Sequence, residues 1–441
     1  MALSPDSAMR RVGVIGAGWA GLAAAVALAD KGWKVFLWEM SPTPGGRGRS
    51  GIEQALPDGS ALELDAGQHI LIGAYRESLG LMQRLGVDVQ RAFWRGPMQL
   101  VDPHGRGLKL PGGPAVLAFV RALAGHPSWP WRARLRLLLQ LARWHHHGFT
   151  CDQAQTVAQL CATLPAEVMD ELIEPLCVAA LNTPAHQADA RVFLRVLADG
   201  LFTGPGGSNL LIPRWPLRLV LPMPALTQLR QVGAALHLAE RVQSIEALGD
   251  GRWRVQAKAE QVVDRLLVAT SAVEAARLLS AWDPDWAKTA QALHFEPIVT
   301  TWVQAPSVRL PGPMVRLSDG PAQFAFDLQA VGLPWPGGLS LVSSDAGPAL
   351  QAGLATLEQA VLQQALRLPG ADPGSTQVVR SIAERRATFA CTPGLQRPAP
   401  RAAAAHGGVW LAGDYTAGPY PSTLEGAVRS GVAAAQQICN S

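Results

Sequence analysis

The sequence predicts an α/β protein in which a Rossmann-like, dinucleotide-binding domain is interrupted by an inserted α+β domain. Three observations predict it. A glycine-rich turn follows a buried strand near the N-terminus, the next strand ends on an acid, and a buried strand near the C-terminus ends in Gly413-Asp414 ahead of a helix. Val12-Gly-Val-Ile15 has the apolar, β-branched character of a buried strand. It runs into Gly16-Ala-Gly18-Trp-Ala-Gly21 and a helix-forming stretch from Leu22 to Asp30. Gly16 permits the tight turn, Gly18 admits a pyrophosphate to the backbone, and Gly21 lets helix and strand pack closely. The helix start offers unpaired N–H groups and a positive dipole end to phosphate. Gly32 breaks the helix, and Lys34 to Trp38 form the second strand. It ends at Glu39, where a carboxylate accepts hydrogen bonds from an adenosine ribose. Arg10-Arg11 and the uncharged run Val12 to Ala29 also have the outline of a secretion signal, but the glycines and the continuing βαβ pattern favour the nucleotide site.

A chain of 441 residues is long enough for two or three domains. Hydrophobic residues make up 48% and charged residues 16%, an apolar balance with no convincing membrane span. The surplus implies an oily substrate site or a membrane-facing surface. The net charge of +4 is mild and gives no argument for a nucleic-acid partner. Five scattered cysteines without a CxxC pair suggest reduced thiols in a cytosolic protein.

The glycine motif fits NAD as well as FAD, and the residues after the acid separate the two. Pro44-Gly45-Gly46-Arg47-Gly-Arg49 brings backbone N–H groups and a guanidinium fork to the far side of a pyrophosphate. It resembles the GGR motif of the flavin-dependent amine oxidase and phytoene desaturase superfamily. Arg241-Val242-Gln-Ser-Ile245, a charged turn and Trp253-Arg-Val255 resemble that superfamily's hairpin, in which the Val242 backbone meets the adenine. Asp264 to Thr270 resembles its second strand signature. The same resemblance implies that Gly413 and Asp414 bind the ribityl chain. It implies as well that Thr423, Gly426 and Ala427 open a helix facing the pyrimidine edge of the flavin. A helix dipole there favours the negative charge that develops on reduction. The implied cofactor is FAD, in a domain of the amine oxidase and phytoene desaturase type. We expect that domain to be discontinuous, over 9–85, 205–285 and 375–441, with 86–204 and 286–374 forming the substrate and membrane-facing domain. Pro103 to Pro114, Gly204 to Pro216, Pro311 to Pro313 and Leu333 to Gly338 read as loops or boundaries.

The first insertion is basic. No acidic residue falls between Asp102 and Asp152, whereas Arg106, Lys109, Arg121, Arg132, Arg134, Arg136 and Arg143 do. From Trp131 to Trp144, Leu135, Leu138, Leu139 and Ala142 recur at helical spacing, with Arg132, Arg136 and Arg143 largely off that stripe. Tryptophan and arginine beside an apolar stripe suit a helix lying in a membrane interface, and an ordinary packed helix with a solvated basic face is the alternative. His145-His146-His147 are adjacent, point in different directions and give no metal site.

More specifically, the chain resembles the hydroxysqualene dehydroxylase family over essentially its full length. Four stretches carry that resemblance: Asp65-Ala-Gly-Gln68-His69-Ile-Leu-Ile-Gly-Ala-Tyr75-Arg76, Glu174 to Pro184, Glu384-Arg-Arg386 to Gly394, and Leu411 to Ala427 with Asp414-Tyr415, Tyr420 and Glu425. Arg385 stands where many relatives carry lysine, which keeps the charge. The resemblance implies reductive removal of the hydroxyl of hydroxysqualene to give squalene. The carbinol is allylic, so loss of water leaves a delocalised cation that reduced flavin N5 quenches with hydride. It also implies a C30 isoprenoid substrate, peripheral membrane contact on the inner face, and the squalene-forming synthases of the same pathway as partners. Tyr415, Tyr420, His69, Glu384 and Arg386 are candidates for the proton donor. Rival readings are a carotenoid-type desaturase, an amine oxidase and a flavin-binding scaffold. The amine oxidase reading is weakened because none of the five lysines lies beyond Lys288.

Overall fold

A computed structural model describes residues 10–56, 59–151 and 154–441. The expected domain start at residue 9, and Asp152, lie outside the described residues. Val12, Val14, Val35 and Leu37 have almost no exposed surface, because their strands sit in a parallel sheet covered on both faces. That sheet has six strands in the order Ala235–Leu238, Lys34–Glu39, Arg11–Ile15, Arg265–Val268, Val409–Leu411 and Arg401–Ala402. The first five run parallel, and Arg401–Ala402 closes one edge antiparallel. The helix Trp19–Asp30 covers one face and packs on the C-terminal helix Leu424–Cys439. The two approach so closely that a Cβ on Gly431 would lie 2.1 Å from the Ala20 carbonyl oxygen.

A second, antiparallel sheet has the order Met314–Arg316, Phe324–Asp327, Gly338–Ser343, Phe295–Gln304 and Gln377–Phe389. Residues 377–389 were expected in the nucleotide-binding block. They pair with Phe295–Gln304, from Phe295 opposite Phe389 to Gln304 opposite Gln377, and so form the last strand of this second sheet. Gly204 to Pro216 also differs from the expected loop. Leu210–Pro213 within it is a buried strand joined to Leu71–Ile72 and Phe93–Gly96, because its four apolar side chains need cover.

The inserted residues before 204 are chiefly helical, with Ala115–Ala124, Trp131–His146 and Ala190–Phe202 the longest helices described there. On Trp131–His146 the core face is Ala133, Leu137 and Trp144. Leu135 and Leu139 point outward, 45% and 61% exposed. The His145 ring lies against Phe149 and Phe202, and those of His146 and His147 meet edge to face. Among the described residues no helix is long and apolar enough to cross a membrane.

Candidate active site

The carboxyl ends of Arg11–Ile15, Arg265–Val268 and Val409–Leu411 open on one crevice, beside the point where the strand order reverses. The turn after the first strand has no room for a side chain at two positions. A Cβ on Gly21 would lie 1.9 Å from the Gly16 carbonyl oxygen, and Gly16 has φ +105°. Gly18 is different, because a Cβ there would meet only the Gly46 Cα, at 3.9 Å. Nothing within the protein demands glycine at that position. Gly18 lies opposite Gly45, whose N–H donates to the Ala17 carbonyl at 2.9 Å. Two glycine turns thus face one another with bare backbone, a cradle that fits a pyrophosphate. Beside it Trp19 carries a buried indole N–H with no partner, 3.0 Å from where a Gly48 Cβ would stand. The Glu39 carboxylate accepts from the N–H groups of Ala17 and Ser41, each at 2.8 Å, which fixes it at the strand end. Its oxygens retain lone pairs for a ribose. Val242 is buried, and its carbonyl accepts from the Arg277 guanidinium at 2.7 Å.

Arg47 and Asp414, expected to hold different parts of a cofactor, are joined to each other by an ion pair. Arg47 also donates to the Ala387 carbonyl at 2.7 Å and to Ser422 Oγ at 3.3 Å, and Ser422 Oγ donates to Asp414. The Asp414 side chain is only 5% exposed, so it needs these donors. Burial works against the Arg47 charge, but Asp414 and Glu384 outweigh it and hold the guanidinium above its ordinary pKa. The Arg47 side chain itself stays 38% accessible.

His69 lies against the Arg47 backbone in the same region, and burial together with the Arg47 charge pushes its pKa down to about 4. The imidazole is therefore neutral at physiological pH. Tyr415 is 2% exposed and its hydroxyl has no partner. Burial, then the neighbouring Asp414, drives its pKa up, so the phenol keeps its proton. Tyr75, which sequence reasoning did not single out as a site residue, is hydrogen-bonded to Thr423, with its pKa raised by burial and by Glu425. Tyr420 stands farther out, its ring between the guanidiniums of Arg195 and Arg429 at 5.0 and 5.1 Å. Its hydroxyl accepts from Arg195 at 2.7 Å. Glu384 faces Arg47 and accepts from the Arg386 N–H at 3.2 Å. The Arg386 side chain is exposed, outside the cluster formed by the other candidates.

Thr423 caps the C-terminal helix: its hydroxyl accepts from the Gly426 N–H and its carbonyl from the Ala427 N–H, both at 3.0 Å. The Gly413 N–H donates to Ser430 Oγ at 2.8 Å, which ties the strand end to the same helix. Arg397 was also missed. Its guanidinium donates to the carbonyls of Asp414 at 2.6 Å and of Gly418 and Tyr420 at 2.8 Å, over the Phe389 ring at 4.5 Å. It fixes the loop that carries both tyrosines. No local spacing marks it in a proline-rich stretch.

The depressed His69 pKa has a thermodynamic consequence. Between pH 6.5 and about 4 the unfolded chain binds a proton that the folded protein refuses. The stabilisation is complete above pH 6.5 and is lost as pH falls through about 4. His69→Gln should flatten the fall of Tm across that window. Parallel Tm curves for parent and variant would contradict the assignment.

The family model for flavin containing amine oxidoreductases matches residues 19–439. The hydroxysqualene dehydroxylase of Rhodopseudomonas palustris (strain ATCC BAA-98 / CGA009) is 28% identical, over 97% of this chain and 98% of its own length. That of Zymomonas mobilis subsp. mobilis is 26% identical, over 96% and 97%. A zeta-carotene desaturase of Zea mays is 37% identical, over 18% of this chain and 13% of its own. Among solved structures, an oxidoreductase from Methanosarcina mazei superposes with a TM-score of 0.72 at 15% identity, over 98% of this chain and 100% of that one. A putrescine oxidase does so with a TM-score of 0.67 at 15% identity, over 98% and 99%. With its glycine cradle, acid-tipped second strand and capped C-terminal helix on one crevice, this chain belongs to the flavin containing amine oxidoreductase family and is a flavin-dependent oxidoreductase.

Proposed function

We propose that the protein binds FAD and reductively removes the hydroxyl of hydroxysqualene, a C30 isoprenoid, to give squalene. The observation that carries this reading is the span of the likeness: hydroxysqualene dehydroxylases match along nearly the whole chain, a carotene desaturase along less than a fifth of it. In the reaction the carbon–oxygen bond breaks, a carbon–hydrogen bond forms, and the hydroxyl leaves as water after taking up one proton. FAD, when bound in its reduced form, would supply the hydride, two electrons with one proton.

The residues divide the remaining work. The opposed turns at Gly16, Gly18 and Gly45-Gly46 would hold the pyrophosphate, Glu39 the ribose, and the Val242 segment the adenine. Gly413, Asp414, Arg47 and the helix start at Thr423 would hold the flavin end. Tyr415 is the favoured proton donor, since its hydroxyl is protonated, buried and without a partner. A raised pKa keeps the proton on oxygen until a stronger base forms, and a departing hydroxide is stronger than phenolate. Neutral His69 suits hydrogen bonding better than proton donation from an imidazolium. The closed Arg47–Asp414 pair keeps the net charge at this end of the site low. A pure scaffold has no use for such a cradle, which counts against the non-catalytic reading. Location is part of the proposal: a cytoplasmic protein on the inner face of the membrane, receiving substrate from the squalene-forming synthases of the pathway.

The test has two anaerobic arms: photoreduced enzyme with hydroxysqualene in detergent, and oxidised enzyme with a polyene precursor. Flavin reoxidation in the first arm alone is expected. Bleaching in the second arm alone would replace the proposal with a desaturase.

A further inference from the structure

Six of the twelve exposed large hydrophobic side chains among the described residues lie on two consecutive helices. Val116, Leu117 and Val120 project from Ala115–Ala124, and Trp131, Leu135 and Leu139 from Trp131–His146, at 39–66% exposure. The two helices pack on each other, so these side chains belong to neighbouring elements. Along the second helix Trp131, Leu135 and Leu139 recur every fourth residue, opposite the core-facing Ala133, Leu137 and Trp144. Arg132, Arg136 and Arg143 flank the outer stripe and are exposed, and none pairs with a carboxylate among the described residues. The Arg132 guanidinium lies over the Trp131 ring at 5.5 Å. One helix thus carries three stripes: core, apolar exterior and arginine rim.

We infer that these two helices are the face by which the protein seats on an anionic lipid bilayer. The inference deepens the isoprenoid reading and rests on it for the purpose of membrane contact, although the surface is defined by its own geometry. A water-facing helix has no reason to hold a tryptophan at 66% exposure with leucines above it. A second copy of the chain is a poorer occupant, since apposed faces would bring two arginine rims together, whereas anionic headgroups neutralise them. The apolar stripe enters the boundary between headgroups and acyl chains, with Trp131 at that level and the arginines at the phosphates.

Flotation of the full chain with vesicles of phosphatidylglycerol and phosphatidylcholine tests this, with phosphatidylcholine alone as the comparison. Binding is expected to the first and much weaker binding to the second. Each arginine near an anionic surface is worth roughly fivefold in partitioning, so losing three of them and adding three carboxylates in R132E/R136E/R143E should lower it by at least about 100-fold. A second variant, W131A/L135A/L139A, should also lower it and abolish quenching by brominated lipid. Both variants should keep their flavin and their turnover of detergent-dispersed substrate, because none of these residues belongs to the set assigned to the cofactor or to proton transfer. Wild-type flotation without any turnover would sink the isoprenoid reading and leave the surface standing. Flotation unchanged in both variants would overturn the surface. So would a dimer in solution that the same substitutions dissolve while wild type fails to float.

Discussion

Replacing Glu425 by alanine is expected to destabilise the folded protein by about 3–5 kcal/mol, the range for breaking a buried charge network by removing one partner. The Glu425 side chain is 3% exposed. It accepts from the Ser78 N–H at 2.9 Å, Ser78 Oγ at 2.7 Å, the Glu77 N–H at 3.1 Å and Arg429 Nε at 2.7 Å. One carboxylate thereby caps the helix Arg76–Arg84 from the first turn of Leu424–Cys439. Alanine would orphan the buried N–H groups and the Ser78 hydroxyl together. Water recovers part of the loss at Arg429, which is 33% accessible, so the effect should fall toward the lower end. Glu425→Gln keeps an acceptor and should lose less. Urea unfolding midpoints decide the matter. An alanine variant within about 0.5 kcal/mol of the parent, the range of neutral surface changes, would show that the capping contributes nothing.

Gly18→Val should strip the protein of flavin while leaving the fold nearly intact. The distinction follows from the two turns: a Cβ at Gly21 strikes backbone at 1.9 Å, whereas at Gly18 it enters the cradle and meets only the Gly46 Cα at 3.9 Å. Overpacking of this kind costs about 1–3 kcal/mol, or roughly 5- to 150-fold in flavin affinity. The protein should purify colourless and take up added FAD weakly, with a Tm close to that of the parent freed of flavin. Gly21→Val should instead fail to fold. Full flavin content in Gly18→Val would show that the cradle does not face the pyrophosphate.

The sheet and its glycine turns are legible in the sequence because they rest on local rules: Val12–Ile15, Gly16–Gly21 and Lys34–Glu39 need only their own neighbours to be recognised. The pairing of residues 377–389 is not legible for the opposite reason. A strand's partner is set across the fold, and nothing within Gln377–Phe389 names Phe295–Gln304. Arg397 and Glu425 escape for the same reason, since both act on backbone 17 to 23 residues away or some 350 residues away in the chain. The basic helix was half legible. Spacing marks Leu135 and Leu139 as a stripe but not which way the stripe faces, and the buried Ala133, Leu137 and Trp144 supply that answer.

The central claim is that hydride reaches the carbon that loses the hydroxyl. The most direct test photoreduces the protein in deuterated water, mixes it anaerobically with hydroxysqualene and follows a single turnover by absorbance and mass spectrometry. One squalene per flavin reoxidised, with one deuterium at the former carbinol carbon, is the predicted result. Flavin that stays reduced, or squalene that forms without flavin reoxidation, would contradict it.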